Sequence, residues 1–182
     1  MSDPFRSALL LSMPQLQDPN FARTVVLLCE FSPEGAFGLV INRPTEMAAS
    51  TMVRLEPPIV GGNTMPLWVG GPVEPERGWI LLGDEPTGNE FKLVCDGLYL
   101  STSVGLLRDI LEIVPPPRAR VLAGYAGWGP GQLDEELAQS AWLLGEVDLD
   151  IVFDTPADVM WETAIRRMGA DPSALTTSHG VH

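Results

Sequence analysis

The chain has 182 residues, 45% hydrophobic and 19% charged, a length and composition that suit one folded domain and exclude a disordered chain. Its 24 acids against 11 cations leave a net charge of −13, which excludes a general attraction to nucleic acid or to an anionic membrane surface. His179 and His182 are the only histidines and both fall in the last four residues, so the body of the chain has none for a Ser-His-Asp triad, a Cys-His dyad or a histidine-rich metal site.

The start does not read as a signal peptide, because Asp3, Pro4 and Arg6 precede an apolar run from Ala8 to Met13 that Ser12 breaks. No stretch reaches the ~20 apolar residues of a membrane helix. Eighteen glycines and seventeen prolines punctuate the chain without gathering into a linker, so short elements joined by tight turns are expected within a single domain, 1–182. The first third reads as strands: 8–12, then 24–31 and 37–42 as a hairpin around the Ser-Pro-Glu-Gly-Ala turn at 32–36. The hairpin strands are nearly continuous in apolar residues, which predicts burial on both faces. A weak helical pattern lies within 48–55. Further strands are predicted at 67–70, 79–82, 91–95, 98–101, 120–124 and 149–153.

Three helices are legible. After Ser103, a good N-cap, Leu106, Leu107, Ile110, Leu111 and Val114 share one face, and Pro115-Pro116-Pro117 ends the run. A second opens near Pro130, with Leu133 and Leu137 four residues apart. The third has Asp154 or Thr155 as its cap and Pro156 in its first turn. Trp161, Ala164, Ile165 and Met168 form its buried stripe, with Arg166-Arg167 near its end and Gly169 as stop. Strands outnumber helices and do not alternate strictly with them, which favours α+β with a mixed sheet.

Two cysteines, Cys29 and Cys95, are too few for a disulfide framework and too far apart for a CxxC site, so a cytoplasmic location is expected. Cys29, inside an apolar strand, reads as a buried inert thiol, or as a redox candidate should Arg23 or Arg43 come near it. The segment Gly124-Tyr-Ala-Gly-Trp-Gly-Pro-Gly-Gln-Leu-Asp-Glu-Glu-Leu137 places a glycine-dense loop between a strand and a helix, the geometry of a phosphate site. Its glycines do not fit GxGxxG, and Asp134, Glu135 and Glu136 in the first helical turns would repel an anion. Those acids point in different directions from a helix, which opposes paired-carboxylate catalysis or a metal site. A rigid turn packed around Tyr125 and Trp128 is the plainer reading. The clusters at 18–23 and 42–45 end strands, where Asn and Arg can simply satisfy loop carbonyls. Alternatively Asn20, Arg23, Asn42 and Arg43 anchor an anion or a partner, with Trp128 stacking on a planar ligand and Gln132 nearby.

Taken together, Leu10 to Glu30, Glu34 to Thr45, Gly70-Gly-Pro-Val73, Gly124 to Leu133 and Trp142 resemble, in order and spacing, the signature segments of the bacterial YqgE/AlgH family. The resemblance implies a single α+β domain with a mixed, bent, partly barrel-like sheet flanked by helices. It also carries the family's usual label of transcriptional regulator, and it supplies no reaction, cofactor, metal or catalytic residue. The expectation is a non-enzymatic protein that influences transcription indirectly through a protein partner. Direct DNA reading is not expected, since no helix-turn-helix pattern is present and only Arg166-Arg167 offers a basic pair on a helix. The alternative is a small-molecule-binding or hydrolytic protein with a pocket between the Asn-Arg-Pro and Gly-Trp-Gly-Pro-Gly loops.

Overall fold

The structure, a computed structural model, describes residues 7–14, 21–52 and 54–174. The fold is α+β and its strand pairing is mixed. The chain clusters into two compact units: residues 1–42 with 126–182, and residues 43–125.

Unit 1 is an antiparallel ladder. Strands β1 (Ala8–Ser12), β2 (Val25–Ser32) and β3 (Gly35–Val40) are joined at one end by β10 (Trp142–Glu146) and at the other by the last three residues of β9 (Ala119–Trp128). The order is β10-β1-β2-β3-β9, with Leu10 opposite Leu144 on one side and Val26 on the other. The first five residues of β2 and the last three of β3 are buried, as expected of the hairpin strands, whereas the residues next to their turn are not; all of β1 is buried. Both faces are therefore covered. Helix α2 (Gln132–Ala138) sits on the face carrying Leu10, Val26, Leu28 and Val40, and supplies Leu133 to that core. Helix α3 (Ala157–Arg167) packs on β1, where the Trp161 indole donates to the Ser12 carbonyl at 2.9 Å. Its side-chain cap from Asp154 or Thr155 does not form; Pro156 stands at the cap position.

Two segments of unit 1 differ from the sequence pattern. Residues 149–153, expected as a strand, lie mainly in a π-helical turn, Asp150–Asp154. Ile151, Val152 and Phe153 are all buried, and a short apolar run of this kind does not distinguish strand from buried helix. The turn is started by Asp148, whose carboxylate accepts from Asp150 N and whose carbonyl accepts from Ile151 N and Val152 N. Strand β10 has no β-branched residue and contains a glycine, so its pattern is silent. Gly145 is needed there: a Cβ would stand 2.8 Å from the sulfur of Met168.

Unit 2 adds β4 (Pro44–Ala48), β5 (Pro66–Val69), β6 (Val73–Leu82), β7 (Lys92–Cys95), β8 (Leu98–Ser101) and α1 (Val104–Glu112) to residues 119–125 of β9. Its order is β4-β5-β9-β6-β8-β7, in which β5 and β9 run parallel and every other pair antiparallel. The mixed sheet flanked by helices is as expected, and each unit's ladder is open, not a closed barrel. Helix α1 covers the face bearing Leu67, Ile80, Leu82 and Val121 with Leu107, Ile110 and Leu111. Ser103 caps it as expected, its Oγ accepting from Leu106 N. The helix expected within 48–55 is reduced to one 3₁₀ turn, Ala49–Thr51.

Gly124 interrupts β9 with φ +81°, and a Cβ there would meet the Gly71 carbonyl oxygen at 2.3 Å, whereas Gly131 (φ +74°) has nothing within 4 Å of its would-be Cβ. Gly124→Ala should therefore cost about 2–4 kcal/mol by combining backbone strain with a steric clash. Gly131→Ala should cost only about 1–2 kcal/mol, from its left-handed backbone alone. Urea unfolding of the two variants checks the order.

Candidate functional site

The polar residues singled out by the sequence fall into separate places. Arg23 stands in the left-handed region at φ +48°, an uncommon conformation for a residue with a side chain. Asn42 holds that turn from both sides, its Nδ2 donating to the Arg23 carbonyl and its Oδ1 accepting from Val25 N, each at 3.1 Å. Arg23 itself is engaged within unit 1. Its guanidinium lies 4.8 Å over the Trp161 ring and donates to Glu162 Oε1 at 2.5 Å. Asn20 lies outside the described residues. Arg43 belongs to unit 2, where its carbonyl accepts from Val69 N.

The glycine-rich loop forms a second cluster. Trp128 ends β9 and Trp142 begins β10; both are buried, with their rings edge-on at 6.0 Å. Buried indole N–H groups need acceptors. Glu136 Oε1 serves both, accepting from Trp128 at 3.0 Å and from Trp142 at 2.8 Å. Glu136 Oε2 takes the Gln132 amide at 3.0 Å, while Gln132 Oε1 accepts from Gly129 N. The acids that electrostatics set against a phosphate site thus include one that ties a helix to a sheet. Trp128 pairs with Ala36 at the start of β3, and Asn42 lies six residues farther along the chain. At ~3.3 Å per residue the two clusters stand roughly 20 Å apart. Within unit 1 the Asn42 clamp and the Glu136 clamp are thus separate clusters.

Cys29 is the extra residue of a bulge in β2, between the pairs Leu28–Gly38 and Glu30–Phe37. Its thiol is buried and donates to the Leu27 carbonyl at 3.5 Å. The Cys95 thiol is pushed up by burial and by Asp96, opposite to what a nucleophilic thiol requires. Among the described residues no group of three or more His, Cys, Asp and Glu side chains is placed to hold a metal ion.

Two clefts escape the sequence pattern. One of about 600 Å³ in unit 1 is floored by Leu9, Leu11 and Ile151 and flanked by Met168. At its rim Arg167 donates to Asp148 at 2.5 Å. The other, of about 620 Å³, lies in unit 2 beside the end of β8 and is lined by Arg77, Trp79, Phe91, Lys92, Thr102 and others. Arg77 lies 4.7 Å over the Trp79 ring, Tyr125 meets that ring edge-on at 6.1 Å, and the Tyr125 hydroxyl donates to Glu74 Oε2 at 2.8 Å. The Glu74 hydrogen bond, followed by burial, raises the Tyr125 pKa. No glycine motif or cysteine marks these residues; only the β6–β8–β7 pairing assembles them.

With this geometry in place, the comparisons with known proteins are decisive for kinship. The family model described as AlgH-like matches residues 9–173. The chain belongs to the AlgH-like family. It is 42% identical to a UPF0301 protein of Nitrosococcus oceani, covering 97% of this chain and 96% of that one. A UPF0301 protein of Marinomonas sp. is 39% identical, covering 98% and 96%. Among solved structures, the AlgH protein of Pseudomonas aeruginosa has a TM-score of 0.78 at 35% identity, covering 97% of this chain and 96% of that one. The AlgH-like segments thus include the Asn42 clamp and the Glu136 clamp.

The Asp148–Arg167 pair gives a pH signature. Burial alone would raise the Asp148 pKa, but the Arg167 hydrogen bond and the backbone N–H of Asp150 outweigh it and hold the carboxyl below its ordinary value of 3.8. A depressed folded-state pKa stabilises above the unfolded value and is lost as pH falls through the folded one. Because both side chains are more than a third exposed, Arg167→Met should cost no more than about 1 kcal/mol at neutral pH. The difference from wild type should shrink as pH falls below 3.8 through the depressed Asp148 pKa, as urea unfolding at neutral pH and across that acid range would record.

Proposed function

We propose that this AlgH-like protein acts in the cytoplasm as an indirect regulator of transcription, through a protein partner and not by reading DNA. The observation that carries the reading is an exposed apolar surface on unit 2. Val60 is 95% exposed, Val114 69% and Ile113 46%. They are not on a loose loop. Asn63 donates through Nδ2 to the carbonyls of Ile110 and Ile113, its backbone N–H donates to Leu111, and Arg108 donates to the Pro57 carbonyl. The 57–63 loop is thereby pinned along the C-terminal end of α1. Large apolar side chains exposed on a loop and on the helix end that pins it, amid prolines, fit protein recognition.

Charge opposes DNA as the partner. Within the basic pair of α3, Arg166 faces Glu162 at 3.9 Å and Arg167 is bound by Asp148. Among the described residues no helix is long and apolar enough to cross a membrane.

Affinity capture of the tagged protein from its own cytosol, with and without nuclease, tests the proposal. A stoichiometric protein partner should survive nuclease and be lost from the Val60→Glu/Val114→Glu double variant. It should be retained by Val159→Glu, a control in unit 1. Loss on nuclease treatment, or full capture by the double variant, would contradict the reading.

A further inference from the structure

We propose that the outer edge of β10 is a self-association surface: two copies of this chain pair their β10 strands antiparallel about a two-fold axis at Leu144, joining their unit 1 sheets edge to edge.

The hydrogen bonding of β1 fixes which groups of β10 face outward. In an antiparallel ladder, opposite residues alternate between pairs that exchange both backbone bonds and pairs that exchange none. Met13 N donates to the Ala141 carbonyl at 2.8 Å, one step beyond the Ser12–Trp142 pair, so Leu11–Leu143 and Leu9–Gly145 are the pairs that exchange bonds. Ser12 turns to β2 instead, its N–H donating to the Thr24 carbonyl at 3.0 Å. The backbone N–H and C=O groups of Trp142, Leu144 and Glu146 therefore point away from β1, and among the described residues β1 is the only strand that pairs with β10. A two-fold axis at Leu144 sets Leu144 opposite itself and Trp142 opposite Glu146 of the second copy. Every outward residue then meets an outward residue, and each such pair exchanges both of its backbone hydrogen bonds.

The strand also lacks the devices that keep an edge from pairing. Both edges of unit 2 have them: β4 begins with Pro44 and β7 with Lys92, and each meets its neighbour in a broken register. Strand β10, Trp-Leu-Leu-Gly-Glu, has no proline and no cation, and its register with β1 is unbroken from end to end. Its central Leu144 is 53% exposed, and beside its own copy it leaves water. The strand's one charge, Glu146, meets Trp142 and not itself. At ~3.4 Å per residue the two Glu146 stand about 14 Å apart, beyond the Debye length of ~8 Å at physiological salt. One axis thus satisfies every outward group and separates the like charges, which selects a second copy as the occupant. So short a strand falls well below a standard interface, and the dimer is weak and concentration-dependent. The net charge of −13 on each copy opposes it, so added salt strengthens it.

The test is sedimentation equilibrium of the whole chain over about a hundredfold range of concentration, with amide hydrogen exchange on the same samples. The wild-type mass should rise from one chain toward two, and more steeply in added salt. The Leu144 amide should exchange at least about threefold more slowly at the top of the range than at the bottom, while that of Leu143, already bonded to β1, should change less. Leu144→Pro removes an N–H that faces outward, where an edge strand tolerates proline, and should stay monomeric. Leu144→Lys sets like charges opposite each other and should also stay monomeric, whereas Leu144→Ile should retain the dimer. The dispersion of the amide spectrum verifies that the variants are folded. The Val60→Glu/Val114→Glu variant should associate as the wild type does. A wild-type chain that stays monomeric, as it would if the edge served another protein's strand, would overturn the proposal. So would undiminished association of folded Leu144→Lys, loss of association in Val60→Glu/Val114→Glu, or a Leu144 amide whose exchange ignores concentration.

Discussion

Two indole N–H groups in an apolar core must find an acceptor, and in unit 1 one carboxylate oxygen of Glu136 takes both. The placement of Trp128, Trp142 and α2 depends on this contact. It joins the end of β9 to the start of β10 and fixes the face of α2 that carries Leu133 into the core. Gln132 adds the link to the glycine turn, which explains why Gly129, Gln132 and Glu136 occur at those intervals. A charged acceptor for two donors is worth more than two neutral hydrogen bonds, and its removal leaves both donors buried and unsatisfied.

The same economy of polar groups recurs elsewhere in unit 1. Asn42 satisfies the backbone of the strained Arg23 turn, while Arg23 spans Trp161 and Glu162 of α3. Asn42 thus serves a turn and Arg23 the docking of a helix. In unit 2 the Asn63 side chain does comparable work for the α1 end, but Val60 and Val114 keep their side chains in solvent. The features that can meet another molecule therefore differ from the motifs that make the family recognisable.

Much of the fold was legible because it rests on local rules. The Ser103 cap, the α1 stripe as far as Leu111, the Trp161-Ala164-Ile165 stripe and the buried runs of the β2–β3 hairpin each follow from spacing and residue type, whereas Val114, expected on the stripe, lies beyond the helix and is exposed. The segments that were not legible obey long-range constraints. Strand β10 exists because β1 lacks a second neighbour without it, and Gly145 is chosen by Met168 from α3. The π-helical turn is set by Asp148 and not by the apolar run it contains. Strand β4 begins with proline, a residue usual only at a strand's first position or on an edge, and β4 is an edge. For the site, the sequence indicated which polar residues mattered but not to what. Glu162 is 139 positions from the arginine it binds, and no local pattern pairs them.

Hydrogen exchange at the indole N–H groups of Trp128 and Trp142 tests the central claim most directly. If Glu136 holds both, the two protons exchange slowly in the wild-type protein and speed up together in Glu136→Ala, while the Trp161 indole, bound to the Ser12 carbonyl, is unaffected unless the whole fold is lost. Rapid exchange of either proton in the wild-type protein, or acceleration of only one in the variant, would contradict the account.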